Sequence, residues 1–179
     1  MSNATEQLEQ KIEELQRQLL EERELRQSAE QELAYIRDEL SKQHKDITDS
    51  IDYARKIQTA ILPPFHLIKQ QLPKSFILYL PKDVVSGDFY FVDEHDDKIV
   101  FAAVDCTGHG VPGALMSVVG FEYIHQAVKE KGMTEPAAIL SYLDWGVNNK
   151  LRQTVDPDTV RDGMDLGLCT IDFANNKLQ

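Results

Sequence analysis

From Glu6 to Leu62 the chain contains neither proline nor glycine, and its apolar residues recur in sevens. Ile12, Leu19, Leu33, Leu40, Ile47, Ala54 and Ile61 fall at one position of the repeat, and Leu8, Leu15, Ala29, Ile36 and Ile57 fall at the other. Glu, Gln, Lys and Arg fill most of the remainder, and these residues lose little rotamer freedom in a helix. A straight helix of about 3.6 residues per turn would carry a seven-residue stripe around its axis, so a frame held this long requires a left-handed supercoil with a partner. The expectation is a coiled-coil helix over 1–62, paired with a second copy in a parallel homodimer.

Four seam positions are polar: Glu22, Arg26, Gln43 and Ser50. Polar seam residues lower stability but set register or leave room for movement. Glu32 and Arg37 flank the seam where an ion pair between chains would favour the parallel arrangement, although an exposed pair contributes only about 0.5 kcal/mol. A passive dimeriser and a signal-transmitting linker share this composition. The position of Gln43 and Ser50, close to the second half of the chain, favours transmission.

Pro63 and Pro64 end the helix, because neither donates a backbone hydrogen bond and Leu62 is pushed out of the helical region. A second region, 63–179, has different periodicity. SFILYL, DFYFVDE and KIVFAAVD are β-rich runs separated by Pro, Gly and acidic turns. GALMSVVGFEYIHQAV reads as a helix. A second helix is expected from an N-cap at Thr134, with Pro136 in its first turn, to about Arg152. After the polar loop QTVDPDTVRDG, MDLGLCTIDF reads as another strand, and Asn175-Asn176 as a turn into one more. The fold class is α+β: a long helix followed by strands and helices around one core.

Composition excludes some functions. A formal charge of -11 removes the general attraction to phosphate backbones and anionic lipid, so neither nucleic acid nor a membrane surface is an expected partner. No apolar run approaches the roughly 20 residues that span a bilayer, and the start lacks the pattern of a signal peptide. Cys106 and Cys169 match no metal or disulfide spacing and read as reduced core residues of a cytoplasmic protein.

The chemistry concentrates in VDCTGHGVPGALMS, Val104 to Ser117, directly after the apolar run IVFAA. Asp105 ends a strand, so its carboxylate is expected at the rim of a sheet, where a charge needs a counter-ion. Asp88, after Ser86-Gly87, opens another strand. Two such acids on neighbouring strands would form an oxygen-rich site suited to Mg²⁺ or Mn²⁺ and unsuited to soft metals. On residue type alone, each acid also reads as a simple turn or helix cap. Gly108 and Gly110 allow the chain to turn back, and Gly113 and Ala114 start a helix that packs tightly. His109 is read as a group that orients the loop rather than as a ligand. No serine has an identifiable base partner, and the glycine loop lacks the Gly-Lys-Ser/Thr ending of a nucleotide-binding loop.

IDYARKIQTAILPP, VVSGDFYFV and VDCTGHGVPGALMS, in this order and spacing, resemble the SpoIIE-like branch of the PPM family of metal-dependent serine/threonine protein phosphatases. The resemblance covers Ile51 to the C-terminus, and the preceding helix resembles the linker that joins such domains to an upstream sensor. It implies a sandwich of two β-sheets flanked by helices, with a dinuclear Mn²⁺ or Mg²⁺ centre. Asp105 matches the aspartate that bridges both metals, the carbonyl of Cys106 matches a backbone ligand, and Asp88 matches an acid serving the second metal. The implied reaction is in-line attack of a metal-activated water on a phosphoserine or phosphothreonine of a partner protein, such as an anti-sigma-factor antagonist.

Two departures accompany the match. The family's Gly-Gly-Asp is Ser86-Gly87-Asp88 here. The family's further metal aspartates, one in a Ser-Asp-Gly motif and one near the domain's end, have no match within 179 residues, and Asp162 and Asp165 do not fit those motifs. The resemblance therefore implies an N-terminal portion of the catalytic domain, a truncated fragment with underliganded metals and little turnover. The competing expectation is a non-catalytic dimeric signalling module carrying a degenerate phosphatase-like domain.

Overall fold

The computed structural model describes residues 2–151 and 162–179, with side chains from Gln7 onward. The chain divides into two compact units, Met1–Asp49 and Ser50–Gln179. The polar loop expected after the second helix lies mostly outside the described residues.

Helix α1 spans Ser2–Ile61 and stops immediately before Leu62 and the two prolines. In the first unit its seven-residue stripe is open to solvent: Ile12, Leu15 and Leu19 are 53%, 52% and 52% exposed. Two of the polar seam residues pair with each other along the helix, Arg26 Nε lying 3.5 Å from Glu22 Oε1. Gln43 donates from Nε2 to Glu39 Oε1 at 3.1 Å. Both contacts are exposed and contribute little to stability.

The second unit takes the last turns of α1 and adds α2 (Phe65–Gln71), β1 (Phe89–His95), β2 (Lys98–Cys106), α3 (Gly110–His125), α4 (Pro136–Lys150), β3 (Met164–Asp172) and β4 (Lys177–Leu178). A single π-helical turn, Gln126–Glu130, continues α3. The strands form one antiparallel sheet in the order β1-β2-β3-β4. β1 and β2 join through Asp96 and Asp97, both at positive φ (50° and 60°), which matches the twist of a two-residue hairpin.

Strand side chains alternate between faces, and this sheet uses its faces unequally. Phe89 and Phe91 of β1 and Val100, Ala102, Val104 and Cys106 of β2 are buried. They pack in one core with Met116 and Ile124 of α3, Ala127 and Val128 of the π turn, and Ile139, Leu143 and Val147 of α4. The opposite face, bearing Tyr90, Val92, Phe101, Ala103 and Gly167, lines an open cleft of about 1120 Å³. Among the described residues there is thus one sheet with helices on one side, one layer of the expected sandwich.

Three local expectations are corrected. SFILYL is not a strand: it crosses this cleft without a ladder partner, and Phe76, Leu78 and Leu80 are exposed. Tyr79 packs edge-on against Tyr90 with ring centroids 5.6 Å apart, and Ser75 at the segment's start donates from Oγ to Leu72 O at 2.6 Å. The N-cap of α4 is Glu135 rather than Thr134, whose carbonyl instead accepts the Thr170 hydroxyl at 2.7 Å. That helix ends at Lys150, while Arg152 lies outside the described residues. Helix α2, absent from the sequence reading, begins directly after Pro64, which occupies its N-cap.

Candidate metal centre

The candidate site lies where β1 begins and β2 ends. Phe89 pairs with Val104 in the antiparallel ladder, so Asp88 and Asp105, one residue further on each strand, come together at the rim. The pairing leaves its mark on Asp88. Its carboxyl is held above its ordinary pKa of 3.8, first by burial, then by a hydrogen bond with the Asp105 side chain and by that residue's charge. Both acids line the open cleft.

Cys106 lies on the other face. Its side chain is buried in the helix-covered core, and burial, followed by the charges of Asp105 and Asp88, pushes its thiol up to about 12. A neutral thiol pointing into the core is no metal ligand, so Cys106 can contribute only its backbone oxygen. That oxygen belongs to a tightly packed glycine cluster. A Cβ built on Gly87 would lie 2.7 Å from Gly108 O and 3.2 Å from Cys106 O, and one on Gly113 would lie 2.6 Å from Gly108 O. Three chain segments therefore meet without side chains between them, which brings the Asp88 loop onto the turn after Asp105. The turn itself uses Gly108 and Gly110 at positive φ, 88° and 64°. His109 sits on the loop as the residue preceding α3 and hydrogen-bonds through Nδ1 to Asp83 Oδ2 at 3.0 Å.

Two further residues belong to this region. Asp165 of β3 is the direct ladder partner of Asp105 and lines the same cleft, although its motif context had argued against recruiting it. Gln58, in the last turns of α1, is 5% exposed and bonds to the backbone of Ser86 on both sides of that residue. Its only signal in the sequence was membership of the IQTAILPP motif. Among the described residues no group of three or more His, Cys, Asp or Glu side chains is close enough to hold a metal ion. The donors that do converge, two carboxylates with a carbonyl nearby, are all hard oxygens, and the charge of Asp105 adds to the burial that raises the Asp88 carboxyl. On chemistry they fit Mg²⁺ or Mn²⁺ as part of a ligand set.

Comparison with known proteins adds one line. No family model and no curated protein matches the chain. Among solved structures, the chain is similar to the SiaA-PP2C domain of Pseudomonas aeruginosa, at 42% identity and a TM-score of 0.63 over 72% of this chain. The chain spans half the length of that solved chain. The likeness supports a phosphatase-like domain of the PP2C, or PPM, type and bears out the α+β architecture as part of such a fold. No described helix is long and apolar enough to cross a membrane.

Proposed function

We propose that this chain carries part of the catalytic domain of a metal-dependent protein serine/threonine phosphatase, of the SpoIIE-like branch of the PPM family. One observation supports the reading above the others: Asp88 and Asp105 meet at one rim of the sheet, beside a glycine turn that brings the Cys106 carbonyl close. In this reading Asp105 and Asp88 hold Mn²⁺ or Mg²⁺ with the backbone oxygen of Cys106. Bound there, the ions neutralise phosphate oxygens and lower the pKa of water toward neutrality. The chain's own residues supply position. The glycine cluster fixes the two acid-bearing segments against each other, and the Asp83–His109 pair pins the loop that leads into α3.

The substrate proposed is a phosphoserine or phosphothreonine of a partner protein, such as an anti-sigma-factor antagonist, in a cytoplasmic signalling system. The exposed stripe of α1 is proposed to pair with a second copy in parallel, with Gln43 and Ser50 leaving the seam adjustable. The test uses a longer version of the protein that extends beyond Gln179. Hydrolysis of a chromogenic phosphate ester should require Mn²⁺ and fall to background in Asp105→Asn; full activity in that variant would overturn the assignment.

A second reading keeps the fold and drops the chemistry, leaving a dimeric signalling module with a degenerate site. It draws support from the fact that, among the described residues, no three His, Cys, Asp or Glu side chains group closely enough to hold a metal ion. Calorimetric titration separates the two readings. Tight Mn²⁺ binding in the longer protein and weak binding in this chain support the phosphatase, whereas weak binding in both supports the module.

A further inference from the structure

Gln58 is a polar side chain buried to 5% exposure on the last turns of α1, and its carboxamide makes three hydrogen bonds. Nε2 donates to the Ser86 carbonyl at 2.5 Å and to Ser117 Oγ at 2.8 Å, while Oε1 accepts from the Ser86 N–H at 3.0 Å. One side chain thus pairs with both backbone groups of a single residue, as a neighbouring strand would, and the donor and acceptor ends of the amide cannot be exchanged without losing both bonds. Ser86 passes this constraint on. Its hydroxyl accepts the Asp88 N–H at 3.0 Å, and Ser117 Oγ donates in turn to Ala114 O at 2.8 Å in the first turns of α3.

From this geometry we infer that Gln58 is a positioning residue for the metal site: it clamps Ser86, and through Ser86 it fixes where Asp88 presents its carboxylate relative to Asp105. The inference rests on the phosphatase reading for its consequence, though not for the clamp itself. A buried amide with both N–H groups and its oxygen engaged holds its partners rigidly, because releasing any of them leaves an unsatisfied polar group in the core. Gly87, which follows Ser86 directly, is held from one side by its close packing on Gly108 and Gly113, and Gln58 adds a hydrogen-bonded restraint at Ser86. Residues that orient a metal's ligands typically change affinity about 10–100-fold when removed.

The experiment uses the isotope-labelled chain and Mn²⁺ alone, read by paramagnetic broadening of the Asp88 and Asp105 amide signals, which detects weak binding. In Gln58→Met the Ser86 and Asp88 amide signals should shift, their hydrogen exchange should quicken by at least about 10-fold, and Mn²⁺ should broaden them only at about 10–100-fold higher concentration. Gly146→Ala, which strains α4 against Tyr123 away from the site, controls for general destabilisation and should do none of this. If Gln58→Met fails to fold, Gln58→Asn keeps the amide but shortens its reach to Ser86, and should show the same changes in smaller measure. Unchanged Ser86 and Asp88 signals and exchange would overturn the inference, as would an equal loss of Mn²⁺ response in Gly146→Ala. Absence of selective broadening in the unsubstituted chain would instead count against the phosphatase reading, and the exchange data would still decide the role of Gln58.

Discussion

Asp105 on β2 and Asp165 on β3 are direct partners in the antiparallel ladder and both line the open cleft, with Asp88 adjoining Asp105 from the other side. Three acids therefore approach one rim of a sheet whose other face is packed with Phe, Val and Ala. Like charges directly opposed across strands destabilise a sheet, so a rim of this kind is held at a cost to folding.

That cost has a definite pH dependence. Asp88 titrates above its ordinary value in the folded chain, so its protonated form favours folding. Its contribution is complete below the unfolded pKa of about 4 and is lost as pH rises through the higher folded value. Asp88→Asn removes that loss. In the absence of metal the variant should melt above the parent chain at pH 7, by an amount on the order of 0.5 kcal/mol given the site's contact with solvent, and the gap should close toward pH 3. Thermal melts across that range check it. Saturating Mn²⁺ should raise the parent's melting temperature and leave the variant's unmoved.

Gly87 tolerates no side chain. A Cβ there would lie 2.7 Å from Gly108 O, a backbone atom that cannot swing aside. Gly87→Ala should cost about 1–3 kcal/mol in denaturant unfolding and should also displace Asp88, so that Mn²⁺ response falls by more than the stability loss explains. A variant with parental stability would show that the glycine cluster is looser than these distances require.

The two cysteines should react at very different rates. Cys106 is buried with its thiol pushed up to about 12, first by burial, so almost none of it is thiolate near neutral pH. Cys169 is only partly buried. Mass spectrometry during iodoacetamide treatment should show one modification, at Cys169, with Cys106 labelled more than about 100-fold more slowly in the folded chain.

The seam of α1 makes a separate prediction. Gln43→Leu with Ser50→Ile should strengthen self-association in sedimentation equilibrium, since each change replaces a polar seam residue with one that packs. In the longer protein the same pair should alter phosphatase activity if the helix transmits a signal. A tighter dimer with unaltered activity would reduce α1 to a passive dimeriser.

Much of this was legible along the chain, where local physics governs. Pro63 and Pro64 mark the end of α1, the β-rich runs around Phe91, Phe101 and Leu168 are strands, and the glycines after Asp105 adopt the positive φ that a tight return demands. SFILYL misled because strand propensity describes a surface that fits a sheet, while a strand also needs a neighbour to complete its ladder, and the segment has none among the described residues. Thr134 misled for a related reason. Its backbone is engaged by Thr170 across the fold, and the helix opens one residue later.

The sequence by itself determined the end of α1, the strands around Phe91, Phe101 and Leu168, and that Asp88 and Asp105 stand at strand ends near glycines. These follow from the period of the side chains and from backbone sterics, both of which act within a few residues. Only the tertiary structure decided that Asp165 lies opposite Asp105 and that Gln58 grips Ser86. Strand register and long-range hydrogen bonds are set by the packing of the whole core, and no local pattern carries them.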